Sequence, residues 1–386
     1  MKYPIAIWML AIGAFAIGMT EFVIMGLLPN IARDFDVTVS QAGQLITGYA
    51  LGVAIGGPII VMLTIKWNRK YLLLVLMGIF ILGNFAASFS PSYGFMMTSR
   101  IITSLAHGSF FGIGSILAAS MVRPEKRASA MALMFMGLSL SNILGVPFGT
   151  LVGQNFGWPM TFIVISIIGA IALVGIIIFV PMQRETVKSS VLNELKILKE
   201  KRLWLTLAVT LFGFSSVFAY FTYISTVLTD VSNVQENLIS YLLIIFGVGV
   251  TLGNIVGGKL ADWNLNKSLQ MIFTIFILYF VLLYFIQMNG FLMVAGIFLF
   301  GLIGFSMSPS LQFKSTLISK DAPTLASTLN QSAFNLGNAL GAFIGGLVVT
   351  HLPVASLSLI APILTAIGLI FLFISVAVEK KEGMTT

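Results

Sequence analysis

Of the 386 residues 58% are hydrophobic and only 9% charged, with a mean hydropathy of +1.02, which excludes a water-soluble globular domain, where about a quarter of residues carry charge. The net charge of +8 does not point to nucleic acid, because the basic residues fall between apolar runs and form no patch on a soluble face. The absence of cysteine excludes disulfides, thiolate metal sites and cysteine nucleophiles.

Apolar runs of roughly 20 residues recur along the chain, the length of a bilayer-spanning helix and too long for barrel strands. They predict helices over 5–28, 41–65, 71–89, 94–121, 128–152 and 159–181, then a polar stretch at 182–202, then helices over 203–228, 237–260, 268–288, 291–313, 324–350 and 355–378. The first run is too long for a signal-peptide core and lacks a cleavage pattern, so it is read as retained. The expected fold is all-α and membrane-integral, with twelve spans in two groups of six: 1–181, a cytoplasmic linker at 182–202, and 203–386.

Lys and Arg collect in cytoplasmic loops. With the N-terminus inside, Lys2, Lys66, Arg69, Lys70, Arg123, Lys126, Arg127, Lys259, Lys267, Lys314, Lys320, Lys380, Lys381 and six bases in 182–202 all fall on the inner side. Arg33 alone falls outside, and Arg100 alone lies within a span, so both termini are expected in the cytoplasm. In the linker, Val191, Leu195 and Leu198 at helical spacing read either as a short helix on the membrane surface or as a solvated tether.

Glu21 is the one carboxylate well inside an apolar run. A charge in hydrocarbon costs about 2.5–3.5 kcal/mol on insertion scales, so it is kept for ion or substrate handling or held by a partner. Arg100 and His107, seven residues apart, share one face of the fourth helix. Arg100 and Glu21 each lie about seven residues from the outer end of their spans, ~10 Å deep at ~1.5 Å per residue, so a pair between them is geometrically allowed. Such a pair reads as a proton-coupling site, because burial opposes the charge while arginine favours it, or as a permanent structural contact. His107 reads as a relay or as a packed, hydrogen-bonded core histidine. His351 is placed in an outer loop with no role.

The fifth segment, with Gly137, Asn142, Gly145, Pro147, Gly149 and Gly153, carries glycines at helical intervals that let another helix approach, with a proline to bend the axis. The eleventh repeats the theme with Gly337, Gly341, Gly345 and Gly346, and these two helices are expected to form the surface on which the halves rock. Gly52, Gly56 and Lys70 match Gly249, Gly253 and Lys267 at a constant offset of 197, the internal symmetry of secondary transporters.

By that offset Glu21, Arg100 and His107 correspond to Phe218, Ile297 and Gly304, so embedded charge is expected only in the first half. The second half is expected to supply a largely apolar wall from Phe214, Phe218, Phe221, Thr222, Gly301, Phe305 and Ser308, with Gln331, Asn335 and Asn338 as polar groups. Phe22, Met25 and Asn142 complete the candidate substrate cavity.

These motifs resemble the major facilitator superfamily, in particular its twelve-helix drug:proton antiporter group near the arabinose and purine efflux branch. The likeness rests on Gly18-Met19-Thr20-Glu21-Phe22-Val23 and Gly26-Leu27-Leu28-Pro29, Arg100 with His107-Gly108, Gly145-Val146-Pro147-Phe148-Gly149, Gly157-Trp158 with Phe162, and Gly258-Lys259-Leu260-Ala261-Asp262. The first-half loop motif departs from the pattern: Ile65 stands where an acidic residue is usual, and only Lys66, Arg69 and Lys70 remain. A cytoplasmic gate is therefore expected more from Asp262 and Lys267. Pro159 follows Trp158 where the branch has arginine, and that Trp is also read as an interfacial anchor.

The resemblance implies a monomeric carrier in the inner (cytoplasmic) membrane that exports small organic molecules, drug-like compounds first, by antiport driven by a proton gradient, with no cofactor, metal or nucleic-acid partner. Purine, nucleoside or sugar efflux is the alternative, as is uptake by proton symport. A membrane enzyme is disfavoured by one Glu, one Arg and one His without ligand spacing, a sensor by the lack of a long loop, and sodium coupling by a lone carboxylate.

Overall fold

The computed structural model describes residues 3–64, 67–123, 127–182, 195–318 and 323–381. Among these the regular structure is helical throughout. The elements are α1 (Ile5–Asp34), α2 (Val39–Leu63), α3 (Arg69–Ser88), α4 (Tyr93–Ser120), α5 (Arg127–Leu140), α6 (Val146–Phe156), α7 (Trp158–Phe179), α8 (Lys201–Phe221), α9 (Ile239–Ile286), α10 (Gly290–Ile318), α11 (Pro323–His351) and α12 (Leu357–Lys381). Among the described residues eleven segments are long and apolar enough to cross a membrane, and one of them, Glu236–Ile286, has more than twice the needed length. It breaks at Asn264, whose backbone is extended (φ −164°, ψ 104°). The Asn264 side chain accepts from the Lys267 N–H at 2.9 Å and so caps the helix that restarts there. The chain divides into two compact units, Met1–Thr186 with Ile239–Ile244, and Val187–Leu238 with Ile245–Thr386.

α1 continues through Pro29 to Asp34, six residues beyond the end expected at 28. A proline inside a helix removes one N–H and is tolerated where neighbouring helices hold the backbone, as Pro58, Pro309 and Pro362 also show. Pro147 has a larger effect: α5 and α6 are joined by a π-turn, Ser141–Gly145, in which the Val146 N–H reaches back to Ser141 O. That wider turn accommodates the donor that proline lacks.

Within each unit the glycine rows are used for packing on that unit's own first helix, not as free faces. A Cβ at Gly137 would stand 2.0 Å from Ala11 O, and Gly145, Gly149 and Gly153 face Phe15, Met19, Val23 and Leu27 of α1. In the second unit Gly337, Gly341 and Gly345 meet the carbonyls of Leu211, Ser215 and Ala219 on α8. The internal repeat is visible in the same terms: Gly52 and Gly56 face Ser104 and Leu105 of α4, while Gly249 and Gly253 face Phe298 O and Leu302 O of α10. One pair of adjacent glycines separates the effect of packing. A Cβ at Gly257 would lie 1.9 Å from Ser306 O, whereas one at Gly258 meets nothing within 4 Å. Gly257→Ala is expected to cost about 1–3 kcal/mol by overpacking. Gly258→Ala should stay within about 0.5 kcal/mol of wild type or gain stability. Thermal inactivation followed by size-exclusion chromatography checks the pair, and equal behaviour would remove this account of the α9–α10 contact.

The first unit is closed at one end by Trp158, which is buried and donates its indole N–H to Asp34 Oδ2 at 2.7 Å, so it is an internal tie between α1 and α7 and not an interfacial anchor. Because Asp34 is exposed, Trp158→Phe is expected to lower stability by only about 1 kcal/mol in a thermal melt. At the start of α3, Lys70 donates to Ile177 O at 2.8 Å, capping the end of α7. Lys66, Lys126, Lys320 and Val191 lie outside the described residues. The described end of the linker, Leu195–Lys199, is a 3₁₀ turn, not an α-helix. It places Ile197 in an apolar cluster with Leu203, Leu207, Ala326 and Ala333, so this end is packed on the second unit.

Candidate functional site

Four helices of the first unit converge on Glu21. Its neighbours Thr20, Phe22 and Met25 are buried with it, and Glu21 itself is 3% exposed. Thr20 forms a hydrogen bond with Asn84 of α3, whose amide nitrogen donates to Phe80 O at 2.9 Å, and this fixes α1 against α3 at the level of the carboxylate. Arg100, 1% exposed, donates from Nη1 to Thr20 O at 2.7 Å. Its guanidinium lies over the ring of Tyr49 on α2, 4.0 Å from the centroid, a geometry that stabilises a desolvated cation by about 1–2 kcal/mol.

Glu21 does not form its close contact with Arg100. The side chain within ion-pair reach is His107, with Nε2 3.9 Å from Glu21 Oε2. The other imidazole nitrogen, Nδ1, is 3.1 Å from the Tyr49 hydroxyl, and the ring stands 5.3 Å from Phe111, which stacks on Phe135. Glu21 Oε1 and the Nε and Nη2 atoms of Arg100 are buried without a hydrogen-bond partner. The Arg100 interactions therefore use a backbone carbonyl and an aromatic face, and the remaining fork of N–H groups and one carboxylate oxygen stay open to new partners. Groups poised in this way respond strongly to any change of neighbour, because Coulomb interactions are large away from water.

Asn142, in the π-turn, donates to Leu138 O at 3.1 Å and is buried. In the second unit the predicted wall is a continuous aromatic assembly. Phe214 contacts Phe305 and Phe334, Phe218 contacts Phe334, and Phe221 stacks on Phe246 at 4.1 Å. Gly301 faces the Phe246 carbonyl, where a Cβ would stand 2.6 Å away, so its place is in α9–α10 packing. Ser308 and Gln331 are half-buried. Asn335 donates to Gln331 O at 3.0 Å, while both amide atoms of Asn338, a fully buried residue, and the Thr222 hydroxyl have no hydrogen-bond partner.

The gate residues expected from the loop motif, Asp262 and Lys267, are both exposed. The buried charge at the α9 break is instead a cluster that sequence reading placed elsewhere. Lys314, 2% exposed, contacts Glu379 Oε1 at 2.5 Å and Asn266 Oδ1 at 2.8 Å; Asn266 donates to Glu379 Oε2 at 3.0 Å, and Ser375 to Glu379 Oε1 at 3.1 Å. This corrects two expectations: Lys314 is not a loop base, and embedded charge is not confined to the first half. The signal available was that α10 carries a single charged residue, Lys314, and α12 a single acidic one, Glu379, near the same end of the second half. Tyr49 was also missed, although it is the aromatic residue of the glycine-rich α2. Among the described residues no group of His, Asp and Glu side chains is arranged to hold a metal.

Comparison with known proteins sets these residues in context. The family model described as Major Facilitator Superfamily matches residues 10–323. The chain is 39% identical over 376 residues, 97% of each chain, to the inner membrane transport protein YdhP of Escherichia coli strain K12. It is 28% identical over 352 residues, 90% of each chain, to a chloramphenicol resistance protein of Streptomyces lividans. Among solved structures, a bacterial homologue of the human lysosomal transporter Spinster, inward-facing and occupied, superposes with a TM-score of 0.78 at 15% identity over 96% of both chains, a likeness of fold.

Proposed function

The chain belongs to the Major Facilitator Superfamily, and on that footing we propose that it is a proton-coupled exporter of small organic molecules, with Glu21 as the proton site. The observation that carries the reading is the isolated carboxyl of Glu21 at mid-helix, buried, with one oxygen unpartnered and the other facing His107. Loading and unloading a proton there changes the charge of a low-dielectric site whose other members, Arg100 and His107, sit on α4, so it can bias one arrangement of the helices over another. His107 is the relay that passes the proton, and Arg100 stabilises the unprotonated form.

The scaffold of this proposal is twelve spans, the break at Asn264 making two of the longest segment, arranged as two six-helix bundles, 1–181 and 203–386, with both termini in the cytoplasm. The location is the inner membrane, and a monomer suffices. Transport proceeds by alternating access. Substrate meets the aromatic surface of Phe214, Phe218 and Phe305 and the amides of Asn335 and Asn338, which suits a flat, largely apolar molecule with a few polar groups. Drug-like compounds are the first choice, in keeping with the chloramphenicol resistance relative. No cofactor takes part; the proton gradient drives the cycle.

The test is substrate-driven proton movement in inverted vesicles or proteoliposomes across a panel of drugs, purines and sugars. Proton release from the vesicle lumen on addition of one class establishes antiport and names the class. Uptake of substrate with protons in the same direction reverses the proposed direction, and substrate flux without any proton movement overturns coupling.

A further inference from the structure

Tyr49 touches both partners of Glu21 in the proton site, Arg100 and His107. Its ring carries the Arg100 guanidinium 4.0 Å from the centroid, and its hydroxyl lies 3.1 Å from His107 Nδ1. α2 is brought this close to α4 because glycines line the contact: Gly52 faces Ser104, and Gly57 meets Gly108 with a Cβ-to-Cα clearance of only 3.1 Å. Tyr49 is 1% exposed, so neither interaction is diluted by water.

The geometry points to Tyr49 as a positioning residue of the proton site, whose hydroxyl aims His107 at Glu21 and whose ring holds Arg100 back from it. The inference rests on the reading of Glu21 as that site. When the hydroxyl donates to Nδ1, the imidazole proton resides on Nε2, the nitrogen that faces Glu21 Oε2 at 3.9 Å. That N–H favours the carboxylate. Without the hydroxyl the imidazole keeps only its ring contacts, with Phe111 and with the ring at position 49, and no longer presents Nε2–H on a fixed line. The aromatic face acts in the opposite sense, since it gives the guanidinium a favourable seat away from Glu21. Without that seat, Arg100 is free to turn its unpartnered Nε and Nη2 edge to the carboxylate, a bidentate arrangement. The titratable or charged side chains facing His107 are Glu21 from α1, Tyr49 from α2 and Arg100 from α4, while the contact running on to α5 through Phe111 is the apolar Phe135.

The two halves of the role predict opposite results. N,N′-dicyclohexylcarbodiimide adds to a protonated carboxyl to give a stable N-acylurea, so labelling of Glu21 in the purified full chain, read by peptide mass spectrometry across a pH series, reports proton occupancy without knowledge of the substrate. Tyr49→Phe removes the hydroxyl and keeps the ring; its labelling midpoint should move to higher pH, toward that of His107→Leu, and Tyr49→Phe combined with His107→Leu should add nothing further. Tyr49→Leu removes both, and its midpoint should move to lower pH by about one unit as Arg100 reaches the carboxylate. Should the leucine variant not fold, Tyr49→Met, which keeps bulk without an aromatic face, takes its place. A general loosening of the site would move both variants the same way. Shifts of one sign, or a phenylalanine variant that titrates as wild type, overturn the role of Tyr49. A wild-type Glu21 whose labelling does not titrate at all overturns the proton-site reading instead.

Discussion

Glu21→Gln is expected to reduce substrate-driven proton release to the level of empty vesicles while leaving substrate exchange across the membrane intact. The amide matches the carboxyl in size and keeps hydrogen-bonding capacity, but it neither takes up nor releases a proton. A ligand that binds two conformations equally shifts neither, and a proton that cannot bind shifts nothing at all. Accumulation against a gradient therefore disappears, whereas exchange of substrate for substrate, which needs only the carrier's motion, persists. The fold should survive the change, because among the described residues the side chain within ion-pair reach of Glu21 is His107, at 3.9 Å, and Arg100 is held by Thr20 O and Tyr49. Glu21→Asp keeps the titratable group but withdraws it from His107, so it should retain coupling at a reduced rate. The measurement is a paired one, proton release and exchange in the same proteoliposomes. If the glutamine variant couples as well as wild type, Glu21 is structural, and His107 becomes the residue to test.

The largest effect on stability is expected at the other buried charge. Removing one member of the Lys314–Glu379 pair, by Glu379→Ala or Lys314→Ala, leaves a charge 3–8% exposed facing uncharged neighbours. Breaking a buried pair in this way costs about 3–5 kcal/mol. Replacing both members at once with apolar side chains of similar volume, Lys314→Met with Glu379→Leu, should recover most of that loss, since the desolvation of two charges is avoided. The Asn266 amide, which bonds to both charges, would then lose these two bonds, so recovery is expected to be incomplete. Thermal inactivation of the single and double variants forms a cycle whose coupling term isolates the pair. If either single variant melts with wild type, the cluster bears no stability and its position at the α9 break has another meaning.

The membrane character, the helical class and most span boundaries were legible from hydropathy, because a bilayer forces backbone groups into helices of nearly fixed length. Departures came where the local signal conflicts with packing. Pro29 stands just past the expected end of the first span, yet α1 passes through it to Asp34, whereas the spans expected over 237–260 and 268–288 are separated by the non-helical Asn264. The candidate site was legible in its members, Glu21, Arg100 and His107, since charges stand out against an apolar background. Their pairing was not. Equal depth allowed a contact between Glu21 and Arg100, but depth says nothing about rotation around the helix axis, and that rotation turns Arg100 to Thr20 O and Tyr49.

What this sequence determined by itself, then, is which segments are buried in lipid, which residues are too polar to be there without cause, and that the second half repeats the first. These follow from composition and period, which are properties of the chain read locally. Only the tertiary structure decided which buried groups meet: His107 with Glu21, Tyr49 between His107 and Arg100, and Lys314 with Glu379 across two helices. The reason is physical. Partner choice depends on how closely helices approach, that approach is set by glycines such as Gly52, Gly57 and Gly257 meeting backbone or small side chains on a neighbouring helix, and the neighbour is far away in sequence.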